Sequence, residues 1–213
     1  MEKIDARRVS LLFQSVANKF SEKKDELCEM DAKMGDGDLG LTMSKGYGAL
    51  PKLIEENYDP EDIGKTLMKS GMKMSSIVPS TMGTLMSSGI IEGAKKLKGK
   101  NEIGKEEFAD FLVGFADGIQ KRGKCKLGDR TILDSVYPAA VASVAELSRD
   151  GASLVSVIRV AVTEAGKGVE NTKNMTPVFG KAAVFTAKAS GVADQGAIAG
   201  LYLLEGFQDF IDQ

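Results

Sequence analysis

The chain has 213 residues, 43% of them apolar, a formal charge of −2 and no histidine. The charge leaves no basic face for neutralising nucleic-acid phosphates, and no apolar run approaches the ~18 residues of a membrane span. Without histidine there is no Ser-His-Asp triad, Cys-His dyad, zinc–imidazole site or phosphohistidine relay in this chain, so its chemistry rests on carboxylates, lysine, hydroxyls, amides and a hard metal.

The opening residues lead into a charged amphipathic pattern, not a signal peptide. Cys28 and Cys125 form no disulfide framework and read as reduced thiols of a cytoplasmic protein. Val9, Leu12, Phe13, Val16 and Phe20 repeat at helical spacing.

A turn then carries Asp31, Gly35, Asp36, Gly37, Asp38 and Gly40. Asp36 and Asp38, two apart, point the same way in an extended turn. Gly35 and Gly37 let the backbone fold back so that Asp31 joins them. Three oxygen ligands with open positions opposite describe a Mg²⁺ site completed by phosphates. Acidic, glycine-rich turns are also commonly plain solvated loops. Three carboxylates with Lys33 as the nearby cation repel one another, which favours the metal.

Gly40, Leu41 and Thr42 open the next helix, through Met43 and Tyr47, and a helix start is an anion site. Asp59, Pro60, Glu61 and Asp62 read as N-cap, first-turn proline and acids opening a helix through Ile63 and Leu67. Pro79 breaks that helix, and Ser80, Thr81 and Thr84 either cap the next one or hold a phosphate with it. Phe108, Phe111, Leu112, Phe115 and Ile119 mark a further helix.

The loop from Arg122 to Asp134 carries four cations and two acids and reads equally as a phosphate contact, a partner contact or a solvated connection. Tyr137, Val141 and Val144 mark a helix that tolerates Pro138 only near its start. Ser153 caps another, through Leu154, Val157, Ile158, Ala161, Ala165 and Val169. Pro177, Gly180 and Lys181 lead to Asp194, and the last helix runs from about Gly196 through Leu201, Leu204 and Phe207. The sum is about eight helices, no convincing strand, no linker and no repeat: one all-helical domain spanning residues 1–213, its many Ala and Gly residues suited to close helix packing.

These segments in this order resemble the ADP-binding L subunit of dihydroxyacetone kinase. The family pattern D-x-x-x-G-D-x-D-H-G corresponds to Asp31 through Gly40, and G-D-K-T to Gly128, Asp129, Arg130 and Thr131, with Arg122 and Gly123 before it. G-R-A corresponds to Gly180, Lys181 and Ala182, and D-P-G-A to Asp194, Gln195, Gly196 and Ala197. The resemblance implies a barrel of eight antiparallel helices with the nucleotide, ADP or ATP, held at one end. It implies that Asp31, Asp36 and Asp38 hold two Mg²⁺ ions. Leu39, Gly40, Leu41, Thr42, Thr81, Met82, Gly83, Gly123, Ile132, Lys181, Asp194, Gln195 and Gly196 match nucleotide-contacting positions, with Ser80 or Thr81 standing in for a phosphate-side serine.

The implied reaction passes a phosphoryl group to dihydroxyacetone or a related ketose held on a histidine of a separate K subunit. A phosphotransferase-system M-type subunit recharges the bound ADP in some relatives, others use ATP, and some contact transcription regulators. The lack of histidine here agrees with that division of labour. Leu39 replaces a histidine, Met82 a serine, Lys181 an arginine and Gln195 a proline of the family pattern. Two other readings stay open: a non-catalytic nucleotide sensor bound by a regulator, and a Mg²⁺-dependent phosphatase.

Overall fold

The computed structural model describes residues 2–185 and 189–213, with the side chains of Lys181 and Phe185 outside that description. Among the described residues there are nine α-helices: α1 (Val9–Glu22), α2 (Lys24–Ala32), α3 (Leu39–Glu56), α4 (Ile63–Ile77), α5 (Thr81–Lys96), α6 (Lys105–Gly123), α7 (Leu133–Glu146), α8 (Leu154–Thr172) and α9 (Gln195–Ile211). Eight of them close a ring. α1 packs on α3, the contacts run in sequence through α9, and α9 returns to α1. The short α2 is the extra member, packed mainly against α3. The all-helical class and the barrel of eight are as expected.

The ring fills its interior with the residues that the helical periodicity singles out. Val9, Leu12, Phe13, Val16 and Phe20 of α1 are buried, as are Phe108, Phe111, Leu112, Phe115 and Ile119 of α6. Phe207 of α9 meets Phe13 and Phe108 edge-on, each at 5.5 Å between centroids, which ties three helices through one aromatic knot. Each such ring contributes about 1.5–3 kcal/mol by leaving water. Elsewhere small residues bring backbones together. A Cβ on Gly118 of α6 would lie 2.4 Å from the Ser88 carbonyl of α5, so only glycine fits there.

Three local expectations change. Asp62, not Asp59, caps α4: its carboxylate accepts from the Lys65 amide, while Asp59 accepts from Glu61 in the turn before. Tyr137, Val141 and Val144 lie on the exposed face of α7, and Leu133, Val136, Ala139, Ala140 and Ser143 face inward. Pro138 sits well inside that helix. A two-residue antiparallel ladder pairs Ile4 with Ile103 and Asp5 with Glu102, burying both isoleucines. It adjoins the start of α6, which runs 19 residues, roughly 28 Å at 1.5 Å per residue, to the opposite end of the ring.

At that opposite end α3, α5, α7 and α9 begin and α2, α4, α6 and α8 end. This up-and-down alternation gathers four helix N-termini at one place.

Candidate functional site

A cavity of about 340 Å³ opens where those helices start. Its wall includes Asp31, Asp36 and Asp38, and one carboxylate oxygen from each lies within 4.8 Å of the others. Asp31, in the last turn of α2, is 7% exposed, whereas Asp36 and Asp38 are exposed. Asp31 organises the turn that follows it. Its Oδ2 accepts from the Gly37 amide at 2.9 Å and the Asp38 amide at 3.1 Å, so the chain curls around its own carboxylate. Gly37 takes φ +77° to make that curl, a region glycine enters without steric cost. Asp31 Oδ1 accepts from Gln195 Nε2 of α9 at 3.3 Å, a bond across the cavity.

The remaining wall is built from helix starts. Leu39 opens α3, Ser80 caps α5 by accepting from the Gly83 amide, and Ile132 precedes α7. Asp194 caps α9 by accepting from the Ala197 amide at 2.8 Å. Each helix start presents unpaired amides and a positive dipole end, so the four together favour an anion. Asp194 is buried, and burial lifts its carboxyl to about 6 despite the cap bond and the charge of Arg130.

Of the residues expected at a nucleotide site, Leu39, Ser80, Thr81, Met82, Ile132, Asp194, Gln195 and Gly196 line the cavity together with the three aspartates. Gly40, Leu41, Thr42, Gly83 and Gly123 do not line it. Gly40 presses on the Lys24 carbonyl, where a Cβ would sit at 1.9 Å, and Leu41 is exposed. The Thr42 amide is spent on the Asp38 carbonyl. Gly83 presses on Val78, and Gly123 lies behind Leu85, which itself lines the wall. Lys181 opens a short 3-10 turn, and its side chain falls outside the described residues.

The cavity also draws on Met34, Gly35, Leu85, Arg130, Thr131, Phe179, Gly180 and Ala182. Phe179 and Gly180 flank Lys181, and Arg130 and Thr131 belong to the loop between α6 and α7, both segments already noted in the sequence, whereas Leu85 carries no local signal.

Two of the buried polar atoms that lack a hydrogen-bond partner belong to this wall, Arg130 Nη1 and Gln195 Oε1. One is a donor and one an acceptor. Unfinished hydrogen bonding of both kinds in one cavity is the mark of a site built for a polar occupant.

Comparison with known proteins decides the family. The model of the DAK2 domain matches residues 33–209. The chain belongs to the DAK2 domain family. A DAK2 relative from Escherichia coli, "PEP-dependent dihydroxyacetone kinase, ADP-binding subunit DhaL", is 27% identical over 87% of this chain and 88% of its own length. Triokinase/FMN cyclase of Homo sapiens is 27% identical over 97% of this chain, which spans 35% of that longer protein. Part of the dihydroxyacetone kinase from C. freundii, solved in complex with AMP-PNP and Mg²⁺, has a similar fold. It superposes with TM-score 0.71 at 21% identity, covering 98% of this chain and 34% of that one.

The donor set suits a hard ion. Three carboxylate oxygens without nitrogen or sulfur ligands match Mg²⁺ and leave coordination positions for phosphate oxygens.

Proposed function

We propose that this DAK2 chain is the nucleotide-holding subunit of a dihydroxyacetone-kinase-like enzyme. It passes a phosphoryl group from Mg²⁺-bound nucleotide to a small ketose, dihydroxyacetone or a relative, presented by a separate K subunit. One observation carries the reading: three carboxylates cluster within 4.8 Å on the wall of a cavity where four helices begin. Cations and phosphates are the complementary charges for those two halves.

In this reading Asp31, Asp36 and Asp38 hold two Mg²⁺ ions, which when bound draw charge off the phosphoryl oxygens. The start of α3 at Leu39 and the Ser80–Thr81 corner hold those oxygens, and Asp194, Gln195 and Gly196 fix the facing edge. Leu85, Ile132 and Phe179 supply apolar surface for a base. Catalysis then comes from placement and fixed charge, because the chain has no histidine to act as base or phosphoryl carrier. The ketose and its covalent tether therefore belong to the partner. The exposed apolar side chains of Leu41 and Phe179, one turn from the cavity and at its mouth, support docking of that partner there. An M-type phosphotransferase subunit recharging retained ADP, or exchange for ATP, supplies the phosphoryl group.

The test mixes the purified chain with a K-type subunit and dihydroxyacetone, once with ATP and once with phosphotransferase components and ADP. Ketose phosphate is expected in one arm and disappears with Asp36→Ala. That variant loses Mg²⁺-ADP by more than the ~10–100-fold cost of an outer-shell substitution, since a direct ligand is removed. Nucleotide retained with no turnover in either arm would replace the kinase with a sensor.

A further inference from the structure

Arg130 lines the cavity but has no part in the phosphoryl-transfer scheme. It comes from the loop between α6 and α7, whose cations the sequence leaves free to meet phosphate, partner or solvent. The structure turns this one inward, to 3% exposure. Its backbone adopts φ +60°, a left-handed conformation that a long side chain enters only when its surroundings hold it. Two buried carboxylates do so. Asp134 accepts from the Gly128 amide at 2.6 Å and the Thr131 amide at 2.7 Å, and Asp129 accepts from the Lys126 amide at 2.8 Å.

The guanidinium spans three carbonyls that are distant in sequence. Nε donates to Thr172 at 3.2 Å, at the end of α8, and Nη2 donates to Ala189 at 3.2 Å and Val192 at 2.9 Å, just before α9. A planar fork is suited to such a three-way span, and a lysine ammonium is not.

We infer that Arg130 is a positioning residue that fixes the α9 edge of the cavity. The path is continuous. Arg130 fastens residues 189–192 to the end of α8, where the Gly191 amide also donates to the Lys173 carbonyl at 3.0 Å. Asp194 follows, its amide donating to Thr172 Oγ1 at 2.9 Å. Gln195 comes next and reaches Asp31 at 3.3 Å. A residue buried between two loops thus governs how a metal-side carboxylate is held, without touching a reacting atom. The consequence for nucleotide rests on the functional reading above, whereas the consequence for the corner itself does not.

Two variants test this. Arg130→Met removes fork and charge, and Arg130→Lys keeps the charge on a head that cannot span three carbonyls. In ligand-free protein, hydrogen–deuterium exchange at the Gly191 and Asp194 amides is expected to quicken about tenfold or more in Arg130→Met, as charged hydrogen bonds are lost. Arg130→Lys falls between it and wild type, and α1 and α6 keep wild-type protection. In the second arm, fluorescent ADP with Mg²⁺, chased by excess unlabelled ADP, leaves Arg130→Met about tenfold faster by the same argument.

Unchanged exchange at both amides in both variants overturns the assignment. Equal acceleration in every helix does too, since it would make Arg130 a general stability residue. A loosened corner with unaltered ADP release refutes the link to the site. If Arg130→Met fails to fold, Arg130→Lys alone carries both measurements. Wild-type protein that holds no ADP refutes the nucleotide reading and leaves the exchange arm standing.

Discussion

A Cβ on Gly35 would lie 2.2 Å from Oδ1 of Asp31. A methyl group there displaces a carboxylate that two amides have already aimed and also crowds the Asp31 carbonyl at 2.9 Å, in the last turn of α2. Gly35→Ala is expected to lose about tenfold or more in Mg²⁺ affinity by titration calorimetry, comparable to an outer-shell loss. Equal Mg²⁺ affinity would show that Asp31 is not a ligand. Asp194 makes a second case through pH. Burial raises its carboxyl from 3.8 to about 6, so between those values the folded chain keeps a proton that the unfolded chain has released. Stability from this group therefore declines as pH rises through that window. Asp194→Asn keeps an oxygen for the cap and cannot ionise. Its stability relative to wild type should rise by roughly 1–3 kcal/mol from pH 4 to pH 7 in metal-free urea titrations, and a flat difference would refute the shift. The three aspartates were legible in the sequence because eight residues hold the whole cluster. Arg130 was visible as a loop cation, but its inward turn was not, because its acceptors lie 42 to 62 residues away.

At the scale of elements, the residues that mark α7 as a helix are not the ones that pack it. Tyr137, Val141 and Val144 carry the visible apolar stripe, yet beyond Leu133 and Val136 the inward face is made of Ala139, Ala140 and Ser143, which let α8 approach closely. Pro138 explains part of that approach. It lacks the N–H that would bond the Asp134 carbonyl four residues back. That carbonyl faces Gly168 of α8, where a Cβ would lie at 2.1 Å. Gly168→Ala sets a methyl against backbone oxygen and should cost about 1–3 kcal/mol, as overpacking does, read from the denaturation midpoint. A neutral or stabilising result would mean that α7 and α8 part without cost. Such contacts escape a periodicity argument, which registers large apolar residues and is blind to small ones. Where large residues do the packing, as in α1, α6 and α8, the expected faces are the buried ones. The caps followed the same division: Ser153 was legible from its neighbours, whereas the choice between Asp59 and Asp62 depended on where α4 meets the rest of the molecule.

For the whole molecule, an occupant of the cavity draws on α2, α3, α5, α7 and α9 at once, so binding and global stability are linked. ADP with Mg²⁺ at about 100 times its Kd adds ~2.7 kcal/mol, roughly 5–10 °C in melting temperature for a chain of this length. The gain should vanish with a chelator and be absent from Asp36→Ala. A rise that persists in chelator would place the nucleotide without the metal. The helical class and the approximate helix number could be read from periodicity, but the order of neighbours in the ring could not. Adjacent members follow from short connections, whereas the seam between α9 and α1 joins segments nearly two hundred residues apart. That seam has a consequence for biosynthesis. α9 is made after the eight helices before it, and it brings both the closing stave of the barrel and the Asp194–Gly196 corner. A nascent chain on the ribosome therefore has its acidic turn early and the facing grip only after α9 has emerged and seated.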